Sequence, residues 1–294
     1  MFGRRDHLIM VGVALTVVVI VVSFGLYVTN PVPRSAPRSG DASETLRVLS
    51  HNVGQDLPDY DYIDKLIRES AADLVFLQEV TGEYVDEHWP RLLDLYPYQA
   101  QGTLVDEKRI GMGVLSKYPI TQHEEIKLDP ESLMLQQRVV ANWKGKDISL
   151  YNVHTTYPWV RLRRDPWLHR IPWPVYDDSV RQREIDALLR TLQGESNPVI
   201  AAGDFNLTER SEDHVKLTRF LRDAFSESGR GPGFTWPANR TPTVMIRPAI
   251  PFVRIDYVFH SPAFTSTAAQ VLPRTGSDHK PLFIDLNFAG SDTR

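Results

Sequence analysis

Residues 198–206, Pro-Val-Ile-Ala-Ala-Gly-Asp-Phe-Asn, form an apolar run that leads directly into a polar turn. Five apolar or small residues without alternation predict a short strand that is covered on both faces. Asp204 and Asn206 are two positions apart, so their side chains point to the same side of an extended chain. Together they could hold a metal ion, a water molecule or a phosphate, although Asp and Asn also favour ordinary turns.

The chain on both sides of this run alternates between strand-like and helix-like apolar patterns. Further strands are predicted at residues 46–53, 74–77, 111–116, 139–143, 148–153, 254–259, 268–272 and 282–286. Helices are predicted at residues 60–69, 83–95, 179–192 and 215–225. Ser179 and Gln182 have the spacing of a capping box, and Gly194 follows the predicted end of that helix. Strands outnumber helices, so we predict two packed sheets with helices outside them.

The composition excludes several classes of site. The chain has 294 residues, a net charge of −4 and no cysteine. Disulfides, thiolate metal sites and a cysteine nucleophile are therefore excluded. The small net charge gives no support to bulk electrostatic binding of nucleic acid. Without the N-terminal segment about 250 residues remain, which suits one large domain or two small ones.

Residues 8–28 carry no charge and are dominated by Val, Leu and Ile. The length of this segment matches the ~20 residues needed to cross a bilayer core. A cleaved signal peptide is the alternative, but its apolar core usually has ~7–15 residues. Arg34 and Pro37 also interrupt the small-residue pattern that a cleavage site around Ala36 would need. We therefore predict a retained transmembrane helix.

The charges beside this segment indicate its orientation. Arg4 and Arg5 precede it, which places residues 1–7 in the cytoplasm, although two arginines on the far side weaken that inference. Residues 29–44 are rich in Pro and Ser and predict an extended linker. We expect a single-pass membrane protein whose main body lies outside the cytoplasm.

Residues 158–178 differ in composition from the rest of the chain. They contain three of the six tryptophans, four arginines and four prolines, and the aromatic and basic members are Trp159, Trp167, Trp173, Arg161, Arg163, Arg164 and Arg170. The prolines predict a long structured loop. Its side chains could contact a bilayer surface or a phosphate-bearing partner, or the tryptophans could simply pack beneath the loop.

Polar residues stand at six of the predicted strand or loop ends: Asn52, Glu79, His154, Asp204 with Asn206, Asp256, and Asp278 with His279. Each alone has an ordinary structural explanation. Glu79 could cap a helix, for example, and His154 could be a satisfied buried histidine.

Together, however, these residues lie in seven motifs whose order resembles the endonuclease/exonuclease/phosphatase superfamily. The motifs are His51-Asn52-Val53, Gln78-Glu79-Val80, the run 113–120, Asn152-Val153-His154-Thr155, Gly203-Asp204-Phe205-Asn206, the run 254–259 and the run 277–281. Arg181 and Gln182 also match an Arg/Gln helix of that family. The resemblance implies a four-layer α/β/β/α sandwich of the DNase I type over residues 45–289, followed by a tail at 290–294. It also implies hydrolysis of phosphate esters with Mg²⁺ or Mn²⁺.

The resemblance further implies a set of ligands for the metal and the substrate. Glu79 would be the principal metal ligand, with Asn52 beside it supplying an amide oxygen or holding a phosphate oxygen. Asp278 is a candidate second ligand. Asn206 would help to position the substrate and the attacking water. Oxygen donors of this kind suit a hard divalent cation.

The catalytic roles also follow from the resemblance. Asp204 would orient and deprotonate the attacking water. His279 would donate a hydrogen bond to a non-bridging phosphoryl oxygen, and Asp256 would hold the His279 imidazole. His154 would contact the phosphate or the leaving group.

Two positions depart from named branches of the superfamily. Gly54 stands where abasic-site endonucleases have an acidic or amide residue, two positions after the first Asn. Asp256-Tyr257 stands where inositol-polyphosphate phosphatases typically have Asp-Arg. Both branches are therefore disfavoured. The His51-Asn52-Val53 start is similar to that of bacterial sphingomyelinases, but three residues do not decide a substrate.

Three functions remain open from the sequence. The first is a membrane-anchored phosphodiesterase acting on a lipid headgroup or another substrate near the bilayer, with residues 158–178 at the bilayer surface. The second is a surface-tethered nuclease of the same fold. The third is a catalytically inactive scaffold that binds partners. We expect a monomer in each case.

Overall fold

The computed structural model describes residues 45–54, 59–105, 110–163, 173–239 and 250–289, with backbone only at 159–163 and 173–175. The predicted N-terminal segment, transmembrane helix and linker (1–7, 8–28 and 29–44) and the tail at 290–294 lie outside these residues. Within the described ranges, no helix combines the length and the apolar character needed to cross a membrane.

The first sheet has six strands in the order β13-β14-β1-β2-β4-β3. Its strands are β1 (Thr45–Asn52), β2 (Leu74–Thr81), β3 (Tyr98–Gln101), β4 (Ile110–Ser116), β13 (Phe264–Val271) and β14 (Leu282–Phe288). β1 is parallel to β2 and antiparallel to β14, so the strand nearest the C-terminus lies beside the first one. The polar ends of β1 and β2 consequently meet at one edge of this sheet.

The second sheet also has six strands, in the order β11-β12-β10-β7-β6-β5. Its strands are β5 (Ile120–Ile126), β6 (Gln136–Trp143), β7 (Lys146–His154), β10 (Val199–Asp204), β11 (Arg222–Asp223) and β12 (Asp256–His260). β10 is parallel to β7 and antiparallel to β12. The buried strand predicted at residues 198–206 is therefore confirmed as a central strand of this sheet.

Three apolar clusters show where the core lies. One contains residues of both sheets, among them Phe76 and Ile200, and fills the space between them. A second joins the other face of the first sheet to α1 (Tyr60–Ser70), and a third joins the other face of the second sheet to α2 (Ser179–Gln193). The predicted α/β class, with two packed sheets and helices outside them, is confirmed.

A buried group of amide side chains connects the two sheets within the core. The Gln78 Nε2 donates to Asn152 Oδ1 at 2.7 Å, and the Asn152 Nδ2 donates to Gln137 Oε1 at 3.0 Å. The same nitrogen also donates to the backbone oxygens of Leu77 and Gly113. These hydrogen bonds satisfy buried polar atoms and fix the spacing of the two sheets close to the strand ends that carry the site.

The single helix predicted at residues 83–95 is wrong. The structure has a π-helical turn at Tyr84–His88 followed by a 3₁₀ helix at Trp89–Leu92. Pro90 has no backbone N–H and so cannot continue an α-helical ladder. In addition, Asp64 accepts from the Tyr84 hydroxyl at 2.9 Å and lies 2.7 Å from the His88 Nδ1, which holds both residues on one side of the turn.

The helix predicted at residues 215–225 is also wrong in its bounds. α3 (Glu212–Thr218) begins after Ser211, and the chain then forms β11 and a new helix, α4 (Ala224–Ser228). Asp223 caps α4 by accepting from Phe225 N at 3.0 Å and Ser226 N at 3.1 Å. Because such a cap starts a helix, the apolar pattern across it belongs to two elements.

The capping box predicted at Ser179 and Gln182 of α2 is wrong, because the N-cap residue is Asp178 and no side chain caps the backbone there. The helix is preceded by Asp178, and Gln182 Nε2 donates to the Asp178 side chain at 2.8 Å. The Ser179 hydroxyl instead donates to Asp177 Oδ1 at 2.7 Å. The Ser179 hydroxyl is thus engaged by the residue before the N-cap and is not available to cap the first turn.

The loop predicted at residues 158–178 contains strands at both ends. β8 (Trp159–Arg163) pairs antiparallel with β9 (Trp173–Asp177), forming a separate two-stranded sheet. The middle of the segment, residues 164–172, lies outside the described residues. Prolines are tolerated in a two-stranded sheet because each strand has an edge that needs no donor, so the proline content misled the prediction.

Gly203 allows β10 to lie close to β7 just before Asp204. Its φ is +143°, and an added Cβ would lie 1.9 Å from the Val153 carbonyl oxygen. Gly203→Ala should therefore lower the free energy of unfolding by about 3 kcal/mol or more, since backbone must move to relieve the clash. Thermal unfolding of the full chain in detergent measures the change. Gly194→Ala is the control, because its Cβ would meet only the Thr191 oxygen at 3.6 Å; equal melting temperatures for both variants would contradict this account.

Candidate active site

Three titratable side chains form a row across the end of the second sheet. Strand register places Asp204, at the end of β10, beside His154 of β7 and beside Asp256 of β12. All three lie at the same edge because β7 and β10 are parallel and β12 begins where they end. Asp204 and Asp256 are almost fully buried, with 2% and 1% of their surface exposed.

The first sheet supplies Asn52 and Glu79 to the same place. The register of β2 against β4 shifts between Gln78 and Val80, and Glu79 at this bulge has a φ of +56°. A bulge redirects a side chain, and a positive φ in a residue other than glycine is strained, which is typical of functional positions. Asn52 Nδ2 donates to Glu79 Oε1 at 3.0 Å and to Asp204 Oδ2 at 3.2 Å, so it joins the two sheets.

His279 and Asp256 form a buried pair. The His279 Nδ1 lies 3.0 Å from Asp256 Oδ2 and 3.2 Å from Oδ1. Burial on its own would lower the pKa of His279, but the carboxylates of Asp256 and Asp204 raise it well above its ordinary value. The raised pKa favours the protonated imidazole, in which Nε2 carries a hydrogen that it can donate.

The loop that carries His279 is held against the first sheet by Ser277. The Ser277 hydroxyl donates to the Asn52 backbone oxygen at 2.8 Å and accepts from His279 N at 3.0 Å. This arrangement fixes the histidine relative to the end of β1.

Asp204 is the acceptor on which the other groups converge. Its Oδ2 lies 3.7 Å from His154 Nε2 and 3.7 Å from His279 Nε2, while Oδ1 accepts from Asn206 N at 2.9 Å. Burial raises the pKa of Asp204 to about 6, because loss of water disfavours the charged carboxylate. Burial also lowers the pKa of His154. A carboxylate with a pKa near neutrality is suited to accept a proton.

Asn206 lies in the turn directly after Asp204. Its φ is +49°, and its Nδ2 donates to the Thr155 backbone oxygen at 2.9 Å. The buried Arg181 guanidinium donates to the Asn206 backbone oxygen at 2.8 Å. The structure thus places Asn206 beside Asp204 and ties this turn both to the end of β7 and to α2.

Asp278 lies against the turn after β1. Its Oδ2 accepts from the Trp236 indole at 3.1 Å, and its Oδ1 would be 3.2 Å from a Cβ added to Gly54. Gly54 has a φ of +64° and donates its N–H to Asn52 Oδ1 at 3.0 Å. The departure at position 54 therefore has a structural reason: a side chain there would be strained and would meet the Asp278 carboxylate.

Two residues that hold the site have no motif in the sequence. Gln136 on β6 donates through Nε2 to the His154 backbone oxygen at 2.8 Å and accepts from His154 N at 2.5 Å. The Thr235 hydroxyl accepts from the backbone N–H of Ile255 at 3.3 Å and of Asp256 at 3.4 Å. Both act on the backbone from elements far away in the chain, and no local pattern could have indicated them.

The donor atoms of the site fit a hard divalent cation. Glu79 and Asp204 bring two carboxylates to the same Asn52 amide group, whose Nδ2 faces them while its Oδ1 accepts from Gly54 N. One ligand atom each from Asp204, Asp256 and His279 lie within 4.8 Å of one another. Such oxygen-rich sets suit Mg²⁺ or Mn²⁺. The described contacts of Asp278 are with Trp236 and Ala238, so its role as a second ligand stays a prediction.

Among the described residues, one other group of carboxylate and imidazole side chains has its ligand atoms within 4.8 Å of one another. It consists of Asp61, Asp64 and His88. Both oxygens of Asp64 are already engaged there, by the Tyr84 hydroxyl and the His88 ring. These contacts give that group a structural role.

Solved structures with the same fold are numerous. An endonuclease/exonuclease/phosphatase from Bacteroides vulgatus has a TM-score of 0.61 at 18% identity, covering 83% of this chain and 99% of its own. The catalytic domain of human nocturnin with bound sulfate has a TM-score of 0.60 at 20% identity, with coverages of 84% and 94%. A mannosyl-6-phosphatase from Bacteroides thetaiotaomicron has a TM-score of 0.61 at 17% identity, with coverages of 83% and 100%. At these identities the likeness shows a shared fold.

Comparison of sequences gives the family. No sequence among the curated proteins matches the chain. A model of the Endonuclease/Exonuclease/phosphatase family, however, matches residues 49–279, a range that includes all of the site residues. The two mixed sheets, the ordered motifs and this match lead to one conclusion: the chain belongs to the Endonuclease/Exonuclease/phosphatase family.

Proposed function

We propose that this chain is a membrane-anchored phosphoesterase that requires a divalent metal ion and hydrolyses a phosphodiester by in-line attack of water. The observation that carries the proposal is the convergence of Asn52 and Glu79 from one sheet with His154, Asp204 and His279 around the other. A buried base, a protonated imidazole and oxygen ligands are the groups that this reaction needs.

Asp204 is the proposed general base. Its pKa of about 6 leaves it ionised at neutral pH yet basic enough to take a proton from the attacking water. Asn206, whose N–H donates to Asp204 Oδ1 at 2.9 Å, orients the carboxylate. The Oδ2 oxygen, which faces both histidines, is the atom that receives the proton.

His279 is the proposed donor to the phosphoryl group. Asp256 fixes the ring through Nδ1 and keeps it protonated, so that Nε2–H is directed to the side of Asp204. Donors that are already oriented stabilise the negative charge that develops on the phosphoryl oxygens in the transition state. His154, whose Nε2 lies 3.7 Å from both Glu79 and Asp204, is the proposed contact to the phosphate or leaving group.

Glu79 and Asn52 are the proposed metal ligands, with Asp278 as a further candidate. A bound Mg²⁺ or Mn²⁺ ion would offset the negative charge that makes phosphate esters resist attack. The bulge at Glu79 and the hydrogen bond from Asn52 Nδ2 hold the Glu79 carboxylate in place before any ligand binds, and Asn52 would offer its Oδ1, which accepts from Gly54 N. Such preorganisation lowers the cost of reaching the reactive geometry.

The proposed substrate is a phosphodiester near the bilayer, with a lipid headgroup as the first candidate. A nuclease is the second candidate, and the net charge of −4 weighs against it. The purified full chain in detergent should be tested with Mg²⁺ against phospholipid and sphingomyelin vesicles, DNA, RNA and a phosphomonoester. Lipid phosphodiester turnover is expected to be fastest. Faster cleavage of DNA or RNA would establish the nuclease, and the absence of all turnover would refute the enzyme.

The membrane anchor yields a separate prediction. Residues 8–28 should remain on the mature protein, because their length suits a span and no good cleavage site follows. Cell fractionation should find the protein in the membrane, and N-terminal sequencing should find residues 1–7 or the start of the span. A soluble product that begins near Ser39 would instead identify a signal peptide.

A further inference from the structure

A cleft of about 340 Å³ opens directly beside the proposed catalytic groups. Glu79, His154 and Thr155 form its polar end. The rest of its lining is apolar and consists of Val105, Ile110, Leu133, Met134 and Tyr157. The cleft therefore shares Glu79 and His154 with the proposed site, and most of its other lining residues are apolar.

The aliphatic wall is attached to the catalytic strand by hydrogen bonds. Gln136 Nε2 donates to the backbone oxygens of Met134, at 3.3 Å, and of His154, at 2.8 Å. Leu133 N donates to the Thr156 hydroxyl at 3.4 Å. These hydrogen bonds hold the backbone of Leu133 and Met134 next to the end of β7, which carries His154. Binding sites that are formed in advance in this way recognise a ligand at little conformational cost.

Part of the apolar lining of the cleft is open to solvent. Leu133 has 48% of its surface exposed, and the Glu79 side chain at the polar side of the cleft is 20% exposed. A nucleobase is read through hydrogen bonds to its edges and by stacking on aromatic rings. The wall offers four aliphatic or thioether side chains and one aromatic ring, and the polar residues at its end face the phosphoryl group.

We propose that this cleft binds an alkyl chain carried by the phosphoryl group of the substrate, and so selects phosphoesters whose ester oxygen bears an aliphatic group. The proposal deepens the proposed function and rests on the reacting phosphate lying at the polar side of the cleft, next to Glu79 and His154. The volume of the cleft is near the lower end of the range for small-molecule sites. It suffices for a short alkyl segment but not for a whole lipid.

Binding of alkylphosphonates tests the proposal without relying on turnover, because their P–C bond is not hydrolysed. Isothermal titration calorimetry of the full chain with Mg²⁺ should compare methyl-, propyl- and hexylphosphonate. Each buried methylene strengthens binding by about fourfold. We expect the Kd to fall by at least about tenfold from methyl to hexyl, which requires burial of only two of the five added methylenes.

Two matched variants locate the effect. Leu133→Gln should remove most of the gain from the hexyl chain while leaving the Kd of methylphosphonate within about twofold. Leu93→Gln is the control, since Leu93 is similarly exposed, at 50%, and does not line the cleft. In this variant the Kd should fall from methyl- to hexylphosphonate by the same factor as in the wild-type chain. Equal loss on the methyl and hexyl compounds in Leu133→Gln would overturn the proposal.

Three other results would also overturn it: no phosphonate binding, a Kd independent of chain length, or tighter binding of thymidine 5′-phosphonate than of hexylphosphonate. The last would identify a nucleobase site. Hydrolysis of phosphodiesters by the same preparation reports separately on the proposed function. If the protein hydrolyses phosphodiesters but its Kd for phosphonates does not change with chain length, the proposed function stands and only the proposed alkyl subsite is refuted.

Discussion

Asp204→Asn should lower kcat by a factor on the order of 10²–10⁴, the usual scale for loss of a general base. The amide is nearly the same size as the carboxylate, but it cannot accept a proton from water. Asn52, His154 and His279 all direct nitrogen atoms to Asp204 Oδ2, so this one atom is central to the site. Steady-state kinetics on the best substrate of the screen gives kcat and KM separately, and the loss should fall on kcat.

Asp129→Asn is a suitable control for this substitution. Asp129 is another buried aspartate, 8% exposed, and its partners are Arg183 and nearby backbone rather than the site. It should keep kcat within about twofold of wild type. Turnover near the wild-type value in Asp204→Asn would show that another group removes the proton.

His279→Ala should also lower kcat by a factor on the order of 10²–10⁴, because the donor to the phosphoryl oxygens is removed. This variant leaves the buried Asp256 carboxylate without its partner, which costs stability. Circular dichroism must therefore confirm that the chain is folded at the assay temperature. His279→Gln retains a donor, and it should recover part of the rate if donation is the role of His279.

Removal of divalent metal should abolish activity altogether, the largest effect that we expect. The carboxylates of Glu79 and Asp204 approach the same amide nitrogen, and a phosphodiester would bring a further negative charge to them. Among the described residues, His154 and His279 are the basic groups that lie close enough to Asp204 to offset part of that repulsion, and a cation would offset more of it. Dialysis against chelator should bring turnover to background, and Mg²⁺ or Mn²⁺ should restore it.

The control for chelation is the same chelator saturated with Mg²⁺, which should have no effect. Elemental analysis must show that the treated protein holds no divalent metal. Undiminished turnover in that preparation would mean that the protein's own residues suffice, and the roles assigned to Glu79 and Asn52 would be wrong.

The sequence predicted the centre of the fold well because buried strands leave a simple pattern. The apolar run that ends at Asp204 has no alternation, and the structure covers both faces of β10. The polar residues at strand ends were also informative. Since parallel strands end at one edge of a sheet, His154 and Asp204 had to lie near each other once both strands were recognised.

The features that escaped prediction depend on contacts between distant parts of the chain. The bulge that redirects Glu79 arises where β2 pairs with β4, and nothing in Gln78-Glu79-Val80 specifies it. Gln136 and Thr235 support the site through backbone groups of other elements. Near Pro90 and Asp223, individual residues ended the apolar patterns that had predicted longer α-helices.

The pairing of β1 with β14 has a consequence for the order in which the protein matures. Thr45 and Asn287 share a hydrogen bond across a sequence separation of 242 residues. A ribosome needs about 10–50 s to synthesise that interval. His279 precedes β14, so the row of Asp204 and Asp256 lacks its imidazole until almost the whole chain has been made. A nascent polypeptide that has not yet reached residue 279 therefore lacks one of the proposed catalytic groups, and the site is complete only when β14 can join β1.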